Sequence, residues 1–340
     1  MAESVRISIE EGSQSSEARR IARKMAGDTG FDEASSEQIA IVATEAGTNL
    51  VKHAGGGEIL LRRTEGEYAP GVHGLELLAL DRGPGMEDLD LCLENGYSTG
   101  GSAGQGLGAI VRLSAESDFY SVPGKGTAIL ARWRWNGASG PLRGESPWLR
   151  VGAVNVAKKG QEVCGDSWGV EQDAVITTIL VADGLGHGYE ASLASREAVR
   201  MLHANPGLTP ALLIERCHRA LQSSRGAAVS VARIDRERGV LLFCGVGNVS
   251  AQIYSGAVSR QHLVSVNGTV GHQIPRLREF SYPWPEDGML VLHSDGLSTA
   301  TSLDGQASLA HRDSALIAGV LYREFSRGAD DATVIVARAA

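Results

Sequence analysis

Val181-Ala182-Asp183-Gly184-Leu185-Gly186-His187-Gly188 decides how the second half of the chain is read. The apolar segment from Val175 to Ala182 ends abruptly in a carboxylate, and three glycines follow within five residues. Its length and β-branched content predict a buried strand. A carboxylate fixed at the end of such a strand cannot swing away from the core edge. Gly184 has no Cβ, so its carbonyl is open to close approach. Carboxylate and carbonyl oxygens together are what a hard cation prefers. An Asp-Gly turn after a strand is the plain alternative.

Similar acidic punctuation recurs along the chain. Cys164-Gly165-Asp166-Ser167 lies upstream. Met289-Leu290-Val291-Leu292-His293-Ser294-Asp295-Gly296 is a second apolar strand ending in Asp-Gly. Asp330-Asp331-Ala332-Thr333 leads into the strand Val334-Ile335-Val336-Ala337. Brought to one sheet edge, these carboxylates would repel one another unless cations lay between them. Two divalent ions ~4 Å apart, bridged by a shared carboxylate and a water, are equipped to cleave a phosphoester.

The order Gly-Asp, Asp-Gly-Leu-Gly-His-Gly, His-Ser-Asp-Gly-Leu, Asp-Asp-x-Thr resembles the metal-dependent serine/threonine phosphatases of the PPM family. The small bacterial RsbX-type phosphatases, related to SpoIIE, are the nearest subgroup. Ile214-Glu215-Arg216-Cys217, Arg225-Gly226-Ala227 and Gly247-Asn248-Val249 extend the resemblance, which runs from about Ser146 to Ala340. It implies that Asp183 bridges two manganese or magnesium ions and that the Gly184 carbonyl contacts one of them. Asp295 and Asp330 would serve the other ion, with Asp166 reaching the site directly or through water. An activated water would attack phosphorus in line without a phosphoenzyme. Asp331 reads as a capping or supporting residue. His187 could serve as a general acid, because histidine is the residue type whose unperturbed pKa lies near working pH, although other members carry small residues there. His272 and His293 read as structural, and Arg225 is a weak candidate for the substrate phosphate.

At 340 residues the chain can hold two domains with proper cores. Its composition, 43% hydrophobic and 21% charged, is that of an ordinary soluble protein. The net charge of −8 argues against a nucleic-acid binder, which would present a basic face. Cys92, Cys164, Cys217 and Cys244 are scattered, without a CxxC pair, which argues against a zinc site. Their apolar neighbours suggest reduced, mostly buried thiols and a cytoplasmic protein. No apolar run has the length of a signal peptide core at the N-terminus or of a membrane span anywhere.

In the first half, residues 5–9 alternate as an edge strand. Ser13 to Gly27 is an amphipathic helix with Ala18, Ile21, Ala22 and Met25 on one stripe. A further helix, capped by Ser35 or Ser36, runs to Ala54, with Ile39, Val42, Ala43, Ala46 and Leu50 at helical spacing. Glu45, Asn49 and His53 share another of its faces, either as a site or as a solvated surface. Gly74 to Leu80 is an apolar strand ending in Asp81-Arg82-Gly83-Pro84-Gly85. The glycine-rich stretch 96–108, which includes Gly104, Gly106 and Gly108, opens into a helix over 109–114. Gly124-Lys125-Gly126-Thr127 precedes a strand over 128–133. Glycine-rich backbone at a helix N-terminus presents N–H groups to phosphates.

That order resembles the GHKL (Bergerat-type) ATP-binding fold, and more closely the RsbT-type switch-protein kinases. The resemblance runs from about Val5 to Trp135. It implies that Asn49 holds the magnesium on ATP and that Asp81 accepts the adenine amino group, with Gly83 and Gly85 allowing the base to approach. Gly104, Gly106 and Gly108 would wrap the phosphates, and Thr127 would add a contact near adenine. Glu45 would orient or deprotonate the attacking hydroxyl.

The expected fold class is α/β (α+β): a GHKL α/β sandwich over 1–135, a Gly/Pro/Ser-rich linker over 136–147, and a PPM-type α-β-β-α layered sandwich over 148–340. In the later part, helices are expected over 188–203, over 209–222 with Pro210 at the first position, and over 313–325. The implied function is a two-enzyme regulator of bacterial partner switching. Its substrate would be a STAS-domain antagonist or scaffold protein. Downstream would stand a sigma-factor regulator or a signalling enzyme, with neither nucleic acid nor membrane as partner. Two rivals are an ATP-binding half that only sequesters a partner and one that senses nucleotide for the phosphatase.

Overall fold

The computed structural model describes residues 3–65, 73–93, 106–135, 147–255 and 259–339. Gly104, the stretch 96–99 and the expected linker up to residue 146 lie outside the described residues. The chain divides into two compact units: one takes in residues 2–144 and 311–323, the other 145–310 and 324–340.

The first unit opens with β1 (Val5–Ile9), α1 (Gly12–Thr29) and α2 (Glu33–Asn49). The cap of α2 differs from expectation. Asp32, not Ser35 or Ser36, precedes the first turn, and its Oδ1 accepts from the Ser35 N–H at 2.7 Å. A carboxylate there also favours the positive end of the helix dipole. At its C-terminus α2 widens into a π-helical turn, Leu50–Ala54, closed by Gly55 in the left-handed region. Such turns are rare and are frequently found at functional sites. There follow β2 (Gly57–Glu65), β3 (His73–Leu80), α3 (Leu89–Leu93), α4 (Gly106–Leu113), β4 (Glu116–Val122) and β5 (Gly126–Trp135).

The strands form one antiparallel sheet in the order β1-β2-β3-β5-β4. Side chains alternate across it. Leu75, Leu77, Ala79, Ile129, Ala131 and Trp133 form one core with Ala18, Ala22 and Ala26 of α1 and Ile39, Val42, Ala43 and Ala46 of α2. The opposite face is buried as well. It carries Leu78, Leu80 and Leu130, and a charge cluster in which Glu76 lies between Arg62 at 2.9 Å and Arg132 at 2.8 Å.

The second unit contains β6 (Leu149–Val156), β7 (Asp166–Gln172), β8 (Ile176–Gly184), α5 (Tyr189–Ala204), α6 (Pro210–Ala220), β9 (Ala227–Asp235), β10 (Val240–Val246) and β11 (Ser250–Ser255). Then come β12 (Ser259–His262), β13 (Ser265–Val266), β14 (Phe280–Pro283), β15 (Met289–His293) and β16 (Ala332–Ala339), with α7 (Ser314–Phe325) between the last two in sequence. One sheet runs β13-β10-β9-β8-β7 with β14 on β10; the other runs β12-β11-β15-β16-β6. Trp168, Ile179, Val181 and Phe243 of the first sheet share a core with Val151, Ile253, Leu290, Leu292 and Ile335 of the second. On the outer side of the first sheet, Val199, Leu202, Leu213 and Ile214 of α5 and α6 pack on Leu180, Ala182 and Val231.

The late helix α7 forms where its pattern predicts, yet His311–Arg323 is counted with the first unit. A contiguous second domain over 148–340 does not foresee this. The helix is buried on every side from Ser314 to Arg323, so its sequence has no polar face from which a partner layer could be assigned.

Candidate functional site

In the second unit the strand ends bring the acidic residues together. Asp166 opens β7 and is the direct cross-strand partner of Asp183 on β8. Asp295 follows β15, and Asp330 and Asp331 precede β16, its antiparallel neighbour. Gly184 must be glycine for a packing reason, because a Cβ there would lie 2.1 Å from the Ala191 carbonyl oxygen of α5.

Burial pushes the Asp183 carboxyl up, and the charges of Asp166, Asp295, Asp330 and Asp331 push it further, to about 9. Asp166 is raised by burial too, against hydrogen bonds from Ser294 and Thr333. Asp295 is raised by burial and by Asp330. The donor set is wholly oxygen and strongly anionic, which suits magnesium or manganese. Among the described residues no three His, Cys, Asp or Glu side chains stand as a group that could hold a metal ion as they are placed.

Several supporting residues escape sequence reasoning. Thr333 Oγ1 donates to Asp166 Oδ2 at 2.9 Å and accepts from Asn155 Nδ2 at 2.8 Å. Asn248 Nδ2 donates to Asp295 Oδ2 at 2.6 Å. Asp331 accepts from the backbone N–H groups of Lys158 at 2.8 Å and Gly165 at 2.9 Å, and so ties the 158–165 loop to the strand end. His187 is exposed on the loop after Asp183. The exposed Arg225 guanidinium flanks that loop, 3.2 Å from where a Cβ at Gly186 would stand. His293 is buried and shares a hydrogen bond with the Ser294 carbonyl. The cysteines are free; Cys164, Cys217 and Cys244 are buried, and burial pushes Cys217 up to about 12.

In the first unit, Glu45 and Asn49 lie one turn apart on α2 and face the start of α4. A Cβ at Gly106 would meet Asn49 Oδ1 at 3.2 Å and Glu45 Oε2 at 3.3 Å. The buried Asn49 Nδ2 has no hydrogen-bond partner among the described residues. A buried amide without a partner is costly unless a ligand satisfies it. Gly108 is buried within α4.

Asp81 sits at the end of β3. Its Oδ1 accepts from Gly83 N at 2.8 Å and from Thr127 N at 3.1 Å, and burial raises its carboxyl. Thr127 Oγ1 lies 2.9 Å from Ser121 Oγ. Gly85 has φ 70°, and a Cβ there would clash with the Val122 carbonyl. Gly83 packs on Ala54 in the π-helical turn, so the Asp81 loop and the end of α2 are neighbours. The residues present thus offer a carboxylate for a base at one end. At the other end they offer an amide, a glutamate and a helix N-terminus for phosphates and their cation.

Two family models match the chain. Residues 10–133 match the histidine kinase-like ATPase domain, and residues 176–340 match the stage II sporulation protein E (SpoIIE) family. The first half is similar to the serine/threonine-protein kinase RsbT of Bacillus subtilis (strain 168), at 35% identity over 34% of this chain and 86% of that protein. The second is similar to the phosphoserine phosphatase RsbX of the same organism, at 27% identity over 45% of this chain and 77% of that protein. A solved chain from work on the bacterial stressosome, a modular system adapted to control secondary messenger signalling, overlays 56% of this chain and 99% of its own, with TM-score 0.53 and 28% identity. No helix among the described residues is long and apolar enough to cross a membrane.

Proposed function

We propose a function from one premise: the chain belongs, through its first half, to the RsbT-type kinases of the histidine kinase-like ATPase fold, and carries a SpoIIE-type PPM serine/threonine phosphatase domain in its second half. The proposal is a bifunctional regulator of bacterial partner switching. The first unit transfers phosphate from ATP to a serine or threonine of a STAS-domain protein, and the second unit removes it. The domain limits 1–135 and 148–340 belong to the proposal, with His311–Arg323 as an inserted contribution to the first unit.

The observation that supports this reading most is the clustering of Asp166, Asp183, Asp295 and Asp330 as like charges that raise the Asp183 carboxyl. Asp183 would bridge two divalent cations, with Gly184 contacting one of them and Asp295 and Asp330 serving the other. The cations, when bound, would supply Lewis acidity and an activated water for attack on the phosphoester. Thr333 and Ser294 would hold Asp166 ionised and aimed. In the first unit, Asp81 would accept from adenine. Asn49 would hold the magnesium on the phosphates, and Gly104, Gly106 and Gly108 would approach those phosphates. Glu45 would orient the attacking hydroxyl.

The test incubates the purified chain with STAS-domain proteins, magnesium and ATP, with and without manganese, and reads intact mass. Wild type should add one phosphate mass and, with manganese, remove it. Asn49→Ala should lose the addition and Asp183→Asn the removal. A STAS protein phosphorylated equally well by Asn49→Ala would refute the kinase assignment.

A further inference from the structure

Arg323, at the end of α7, is buried against the base end of the first unit. It is 7% exposed. Its Nη1 donates to the Asp81 carbonyl at 2.8 Å and to the Thr127 carbonyl at 3.1 Å. Its own carbonyl accepts from the Arg82 guanidinium. Asp81 and Thr127 are also joined directly, by the Asp81 N–H to the Thr127 carbonyl at 3.0 Å and the Thr127 N–H to the Asp81 carboxylate. One cation therefore ties the ends of β3 and β5 at the residues assigned to adenine. Charge-assisted bonds of this kind are the stronger class.

The rest of the segment is anchored on the same unit. Asp313 accepts from Arg132 at 2.9 Å, and the Asp313 N–H donates to Asp118 at 2.7 Å. Gly319 lies against Leu78 and Leu80; a Cβ there would be 3.2 Å from each. Tyr322 donates to Glu58 at 3.1 Å. Arg323 thus reaches Asp81 from a segment locked in place along its length.

We infer that Arg323 is a positioning residue for the nucleotide base, supplied by the part of the sequence that matches the phosphatase family. It holds β3 and β5 at the spacing at which the Asp81 carboxylate is presented to adenine. The inference rests on the ATP reading of the first unit.

The test uses the full chain and calorimetric titration with Mg-ATP and with adenosine. Arg323→Met keeps the apolar stem and removes the donors. It should weaken ATP by ~10-fold or more, the scale of lost bonds to a charged group, and weaken adenosine by the same factor, because the defect is at the base. Arg323→Lys should restore part of the affinity. Tyr322→Phe, on the same helix but away from Asp81, should leave both affinities unchanged. Equal weakening by Tyr322→Phe would reduce Arg323 to general packing and overturn the inference. So would unchanged affinity in a folded Arg323→Met. Should Arg323→Met fail to fold, Arg323→Lys decides: full wild-type affinity there overturns the inference, and an intermediate loss supports it. A wild-type chain that binds neither ligand would sink the nucleotide reading itself, whereas binding indifferent to Arg323 sinks this inference alone.

Discussion

Glu76 in the first unit and Asp183 in the second are both carboxylates withdrawn from water, and their surroundings treat them in opposite ways. Burial alone would raise Glu76, but the guanidiniums of Arg62 and Arg132 outweigh it and hold the carboxyl at about 2. Burial raises Asp183 as well, and there each neighbouring charge, from Asp166 to Asp331, adds to the rise. Glu76 carries its counterions within the sheet and completes a structure. Asp183 faces like charges, and the cluster becomes favourable only when positive charge arrives from outside. A buried acid with built-in arginines is read as architecture, and one among other acids as a site.

The sharpest way to break this contrast is to neutralise each acid in turn. Asp183→Asn should lower manganese-dependent phosphatase activity by more than ~100-fold, beyond the range for supporting residues. It should also raise the unfolding temperature of the metal-free chain, because an amide does not bear the cost of holding a carboxyl there away from its ordinary ionised state. Glu76→Gln should do the reverse for stability, costing ~3–5 kcal/mol by removing the buried carboxylate that Arg62 and Arg132 share. Calorimetric unfolding of both variants in chelator reads the two signs, and shifts in the same direction would end the comparison.

A smaller effect is expected at Thr333. Thr333→Val should weaken manganese binding by ~10–100-fold while the chain stays folded, and Thr333→Ser should recover most of it. Manganese titration followed by calorimetry checks this, and a Val variant with wild-type affinity would remove Thr333 from the account.

The smallest effect is the dependence on pH. Asp183 and Asp166 are raised, so the folded chain binds more protons there than the unfolded chain does. Metal-free stability should therefore grow as pH falls from about 9 toward the ordinary value of 3.8. Glu76 is lowered, so its contribution is complete above 4.5 and is lost as pH falls toward about 2. Melting temperatures across pH should rise and then fall on acidification, and saturating manganese should flatten the first limb. A melting temperature that falls steadily with pH in chelator would contradict the raised carboxyls.

The parts of the molecule legible in its sequence are those where signal and structure are local. The strands ending in Asp183 and Asp295 announce themselves by an apolar run and a sudden carboxylate. Their supports do not, because each is a partnership across the chain. Asn155 and Thr333 are 178 residues apart, and Arg323 and Asp81 are 242 apart. β2 is hidden for a related reason. Arg62 looks like a surface residue until its cross-strand neighbour Glu76 is known to neutralise it. The cap of α2 is Asp32 and not Ser35 or Ser36, because the three short polar residues stand close together and only the backbone path selects among them.

The position of α7 bears on how such a gene can be rearranged. A break between residues 136 and 146 would look harmless on paper, since it separates two recognisable families. The shorter product would lack the helix that lies on Leu78 and Leu80, and Arg132 would lose Asp313. An apolar sheet surface would meet the solvent, and Arg132 would keep Glu76 and Glu116 but lose one carboxylate partner. The boundary between the two recognisable families is thus not the boundary between two self-sufficient folding units, because one late helix belongs with the first.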